Sequence, residues 1–206
     1  MAMTFADLQS ALFARGFDFM NDAGAGLARA KVFLNLGMHI CDDAESWQYL
    51  QASTTGTAPV TVSDLGRIES VVDVTNLNPL EFMSRRDVTN RYADLSLTGG
   101  FPAFYFVTGG NTVGAFPVTS VTLTVRYTRV APDMVAGTDV PLMPDRFRMA
   151  IVDYAAALAF RESNVPDEAQ IAQAAGDAVV ERMREWDVLS QGSGGRQFVT
   201  GASGDW

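Results

Sequence analysis

Between Ser84 and Ser163 a short polar helix, an aromatic hairpin, an Arg-rich strand and a Pro-started, Ala-rich helix follow one another, an order that commits the chain to building helices and a sheet together. The hairpin reads Pro102-Ala-Phe-Tyr-Phe-Val-Thr-Gly-Gly-Asn-Thr-Val-Gly-Ala-Phe-Pro117 and the strand Leu123-Thr-Val-Arg-Tyr-Thr-Arg-Val130. Gly109, Gly110 and Asn111 all tolerate positive φ, which makes Thr108 to Thr112 a strong turn signal between two aromatic-rich strands. Val121 to Arg129 alternates as a third member of the sheet would. Pro144 suits the first turn of a helix, and Phe147, Ile151, Tyr154 and Leu158 then line one face at intervals of four and three.

The remaining segments add helices before and after. Thr4 and Asp7 make a capping-box-like start, with Phe5, Leu8, Leu12 and Phe13 on one face and a stop near Gly16. A loop passes through Asn21 and Asp22. From Ala25 to Trp47 the apolar groups fall on two neighbouring stripes, one through Leu27, Leu34 and Met38 and one through Phe33, Leu36 and Ile40, so the apolar arc is wide and the helix is expected at the centre of a bundle. Between Gln51 and Thr75 the β-branched content rises and the period moves towards two, which fits two or three short strands. Asn78-Pro79 breaks the chain, Ser84 caps a helix to Tyr92, and Gly99-Gly100 releases it. Val165-Pro-Asp-Glu168 opens a last helix with acidic residues at its positive end and an alanine face suited to close packing.

The expected fold is therefore α+β: a mainly helical bundle of about four helices with an inserted small antiparallel β-sheet and a flexible C-terminal tail. The helices are placed at 4–14, 25–47, 84–92, 144–162 and 166–189, and the β region at 51–75 and 103–130. A single domain is expected over 1–189 and a Gly-Ser-rich tail over 190–206, where Phe198 and Trp206 are larger apolar groups than a solubilising tail needs.

Composition narrows function by exclusion. Among 206 residues there are 24 acidic against 15 basic, a net charge of −9, and Lys31 is the one lysine. A phosphate-gripping protein would show a clustered basic face instead. The N-terminal stretch has neither the basic nor the apolar region of a signal peptide, and no apolar run reaches the roughly 20 residues that cross a bilayer, so the chain is expected in the cytoplasm where it is made, with no membrane contact. Cys41 has no partner for an intrachain disulfide and reads as a buried thiol.

Reactive chemistry is sparse. His39, Cys41, Asp42 and Asp43 are the one tight cluster of metal-capable types, yet on a helix only His39 and Asp43 share a face. Any hydrolytic triad would have to use His39, and no Gly-x-Ser-x-Gly turn or phosphate loop is present. Neighbouring carboxylates such as Asp167 with Glu168 diverge on a helix. Phe101, Phe104, Tyr105, Phe106 and Phe116 lack the interleaved basic residues of a base-stacking platform and read as sheet core. No enzyme activity, cofactor or metal is expected. Arg126 and Arg129, three apart on a strand, face opposite sides; these two and Trp186 are the candidate subunit contacts.

The order and spacing of these segments, from Leu12-Phe-Ala-Arg-Gly-Phe-Asp18 through Arg67-Ile-Glu-Ser-Val-Val-Asp73 to the helix ending near Leu189, resembles the head-to-tail adaptor proteins of tailed bacteriophages. The resemblance implies a small helical bundle with an inserted β region, assembled as a homo-oligomeric ring, commonly of twelve copies, beneath the portal vertex. It implies a virion protein of the neck that extends the DNA channel and docks the tail or a stopper or nozzle protein, while double-stranded DNA passes without specific binding. The portal contact is expected in the tail, at Phe198, Trp206 and Arg196. A stopper or tail-completion protein shares the same order of segments. Outside virion proteins the competing class is a small α+β enzyme or ligand-binding protein with dispersed pocket residues.

Overall fold

The computed structural model describes residues 3–17, 20, 24–92, 99–118 and 120–193. They form two compact units, one built from Met1–Gln48 with Asp133–Trp206 and the other from Tyr49–Pro132.

The first unit is helical: α1 (Phe5–Leu12), α2 (Ala25–Asp43), then α4 (Met149–Glu162) and α5 (Pro166–Ser193). Thr4 caps α1 as the sequence suggests, its hydroxyl accepting from the Asp7 amide while Asp7 accepts from the Thr4 amide. A π-helical turn over Phe13–Phe17 follows and is broken at Gly16, whose φ of 97° a side chain would resist. The Asn21-Asp22 loop lies outside the described residues. At the centre stands α4 rather than α2. Its alanines and Ile151, Val152 and Tyr154 are buried on nearly every side, and α1, α2 and α5 all pack on it. Gly37 lets α2 come close, since a Cβ there would meet the Ile151 carbonyl at 2.6 Å. Gly176 of α5 likewise lies under the Tyr154 ring, whose hydroxyl donates to Asp177 at 2.6 Å. The helix expected to reach Trp47 stops at Asp43, and Trp47 turns back to donate its indole N–H to the Cys41 carbonyl at 2.8 Å. α5 in turn continues past Leu189 to Ser193.

The second unit overturns the expectation of a mainly helical bundle with a small antiparallel sheet. It holds seven strands, β1 (Gln51–Thr57), β2 (Val60–Thr61), β3 (Leu65–Asp73), β4 (Asn78–Phe82), β5 (Phe104–Thr108), β6 (Thr112–Phe116) and β7 (Thr122–Arg129). They join in the order β1-β7-β3-β4-β5-β6-β2. The sheet is nearly closed and barrel-like, a Cβ added at Gly56 of β1 coming within 3.5 Å of the Val60 side chain of β2, and it encloses its own core of Val71, Leu80, Val113, Leu123, Val125 and Tyr127. Nor is it wholly antiparallel. β4 and β5 run parallel, which requires a crossover, and α3 (Arg85–Arg91) lies within that connection instead of joining the bundle.

β1, β2 and β3 occupy the region expected to hold two or three strands, whereas β4 lies outside it for a physical reason. β4 contains Pro79, but β4 pairs with β5 at Glu81 and Phe82, beyond the proline, so the missing N–H costs that ladder nothing. β1 has no apolar alternation; it turns Ala52, Thr54 and Gly56 inward and is joined to β7 by cross-strand hydroxyls, Thr55 to Thr124 at 2.8 Å. The hairpin signal holds, with Thr108 opposite Thr112 and positive φ at Gly110 and Asn111. β7 is nevertheless neighbour to β1 and β3, not to that hairpin.

Candidate functional site

The metal-capable cluster separates on folding. His39 Nε2 lies 2.7 Å from Asp133 Oδ1, Cys41 and Asp42 are buried, and Asp43 is exposed. Burial first, and then the charges of Asp42 and Asp153, push the Cys41 thiol far above its ordinary range, so it stays protonated and unreactive. Among the described residues no three His, Cys, Asp or Glu side chains converge as metal ligands, and no helix is long and apolar enough to cross a membrane. His39 and Asp133 instead tie α2 to the start of the returning chain, beside Asn35, which exchanges hydrogen bonds with the Met134 backbone at 2.9 and 3.1 Å.

Of the expected subunit contacts, Arg126 is exposed on the outer face of β7. Arg129 is turned to the other side, where its guanidinium donates to the Tyr49 carbonyl at 3.0 Å. Trp186 is half-buried against Phe147, with the Arg146 guanidinium 4.3 Å from its ring centre. Both latter residues thus hold contacts inside their own units. Phe198, Trp206 and Arg196 lie outside the described residues. In the hairpin Phe116 is buried, Phe104, Tyr105 and Phe106 are half-buried, and Phe101 is exposed.

The helical unit leaves apolar rows on its surface. α2 buries Phe33, Leu34 and Met38 but exposes Val32 (54%), Leu36 (46%) and Ile40 (40%), each one turn from the next. The wide apolar arc in the sequence was the signal of this second face. On α5 the alanine face also divides: Ala169, Ala172 and Gly176 are buried, whereas Ile171 (65%), Ala174, Ala175 and Ala178 face outward. In the sheet unit Leu77, at a positive φ in the β3–β4 turn, and Phe82, 5.5 Å from the Tyr105 ring, are exposed. Uncovered apolar rows of this kind are a common mark of surfaces that associate with other proteins.

A model of the SU10 adaptor protein family matches residues 3–197. The chain belongs to that family. No curated protein matches the chain in sequence. Membership in the SU10 adaptor family bears out the resemblance to phage head-to-tail adaptors and gives the chain a phage adaptor role in the virion neck, in contact with other phage head and tail proteins. The exposed apolar faces of this SU10 adaptor are accordingly candidates for those contacts.

Proposed function

We propose that this adaptor forms a homo-oligomeric ring of twelve copies beneath the portal, prolongs the DNA channel and offers a docking surface to the tail, without catalytic activity. The family match over residues 3–197 carries the reading. Support comes from the apolar faces of α2 and α5, which a chain acting alone would have no reason to leave uncovered. Symmetry multiplies such small contacts into a stable closed assembly. Phe198 and Trp206, flanking which Arg196 supplies a positive charge, are proposed as the portal anchors, and exposed Arg126 as a contact between copies.

Native mass measurement and electron microscopy of the full chain, alone and mixed with the cognate portal, test this reading. A portal-bound ring with the portal's rotational symmetry is the expected result. One copy per portal, or none, rejects it. Alanine at Phe198 and Trp206 should weaken portal binding by about 2 kcal/mol for each anchor that fills a pocket.

A further inference from the structure

We propose that the outward ridge of α2 in one copy of the chain docks into the alanine groove on α5 of the next copy, the two helices running parallel. The contact rests on the ring reading for its closure and names the surfaces that would build it.

The two surfaces match in shape. Ala28, Val32, Leu36 and Ile40 are all exposed and stand four residues apart, so they form a single straight ridge along α2. On α5 the exposed rows Ile171–Ala174 and Ala175–Ala178 bound a shallow groove, because alanine leaves room for a neighbour's larger side chains. An i+4 ridge laid in an i+3 groove crosses at about 20°, shallow enough for contact along several turns.

They also match in charge. Exposed Arg29 and Asp43 bracket the ridge, and exposed Glu168 and Arg182 bracket the groove. Each pair is separated by fourteen residues, which is about 21 Å of helix. Set parallel, Arg29 meets Glu168, Val32 meets Ile171, Leu36 meets Ala175 and Asp43 meets Arg182. The antiparallel setting would put Asp43 against Glu168 and lose the match. Arg29 already pairs with Glu162 on α4; both side chains are substantially exposed, so Arg29 can be shared with or transferred to the neighbour.

The surfaces are different, so the contact is head-to-tail. Such a contact leaves one free ridge and one free groove on every dimer and adds copies until the rotation closes. That is how a ring is built, whereas α2 against α2 would stop at a pair.

Disulfide trapping in the full chain is the test. Cys41 is fully buried and should not interfere. The double variant Val32→Cys/Ile171→Cys, oxidised and run without reductant, should give a ladder of dimers, trimers and higher species, while each single variant stays monomeric on the gel. Arg29→Glu should weaken self-association at least tenfold, as should Glu168→Arg, and the two together should restore most of it. A homodimer from Val32→Cys alone overturns the head-to-tail pairing in favour of α2 on α2. If native mass shows rings but neither the ladder nor the charge rescue appears, this contact is wrong and the ring reading stands. A chain that remains monomeric with and without portal, and gives no ladder, overturns both.

Discussion

The Arg148 guanidinium is buried, and it donates to the carbonyls of Met143, Met3 and Pro141 at 2.9 to 3.0 Å and to Asp145 at 2.8 Å. It thereby fixes the chain's beginning to the approach of α4, a role its position within the Phe147 to Leu158 pattern did not disclose. Only a planar fork can serve acceptors in these directions, so Arg148→Lys should not rescue it. Arg148→Met should lower stability by about 3 kcal/mol, measured by urea unfolding of the helical unit's signal, because carbonyls in the interior lose their donors. Charge at nearby sites acts with opposite signs in pH. The Val135 and Ala136 amides donate to Asp139 and hold its carboxyl below its ordinary 3.8. Its contribution is present above that value and lost as pH falls through the lowered pKa; Asp139→Asn should flatten that part of the acid limb. Burial pushes Asp153 the other way, with Arg15 opposing the rise. Stability from Asp153 is complete below its ordinary value and declines as pH rises through the raised one. Arg15→Ala should therefore cost about 2 kcal/mol near pH 7 and less near pH 4, and Asp153→Asn in the same chain should return most of it.

At the scale of elements, legibility followed how much local pattern each one carries. The caps at Thr4 and Ser84, the hairpin turn and the apolar face of α4 are local, and they stand where the residues put them. β4 is not a local signal: it tolerates Pro79 because of where its neighbour pairs. The joining of all the strands into one seven-stranded sheet depends on β4, which links β3 to β5, and the sheet was underestimated without it. The place of α2 differs from the expectation for a similar reason, since a wide apolar arc does not say that one of its two faces will stay exposed in the folded chain. Gly37 gives this layer a direct test. Helix propensity alone favours alanine there by about 1 kcal/mol. A Cβ would, however, sit 2.6 Å from the Ile151 carbonyl, a backbone atom that cannot rotate aside. Overpacking of about 1–3 kcal/mol should win, so Gly37→Ala is expected to lower the thermal midpoint of the helical unit. A raised midpoint would mean that α2 and α4 are farther apart than described.

For the whole molecule, the order of segments was enough to reach the family, while the positions of the contacts were not, because an interface consists of apolar residues that remain uncovered after the chain has folded. Charge is the property that needs no such geometry. Each copy carries a net −9; in the ring proposed above that charge would be multiplied around a channel through which duplex DNA, with one negative charge per roughly 1.7 Å, would slide. A basic wall would hold the DNA by releasing its counterions; an acidic one repels it and leaves translocation unhindered. The two cases respond to salt in opposite directions. Counterion-release binding weakens steeply as salt rises, whereas repulsion is screened, so any residual association of an acidic protein with DNA should grow from about 10 mM to 150 mM salt, where the Debye length falls from about 30 Å to 8 Å. In a mobility-shift titration of random duplex DNA, micromolar adaptor is expected to give no retarded band at low salt and at most a faint one at physiological salt. A band strongest at low salt and abolished by added salt would show that the chain concentrates its arginines into a DNA-gripping face, and the acidic-wall account of the channel would have to be abandoned.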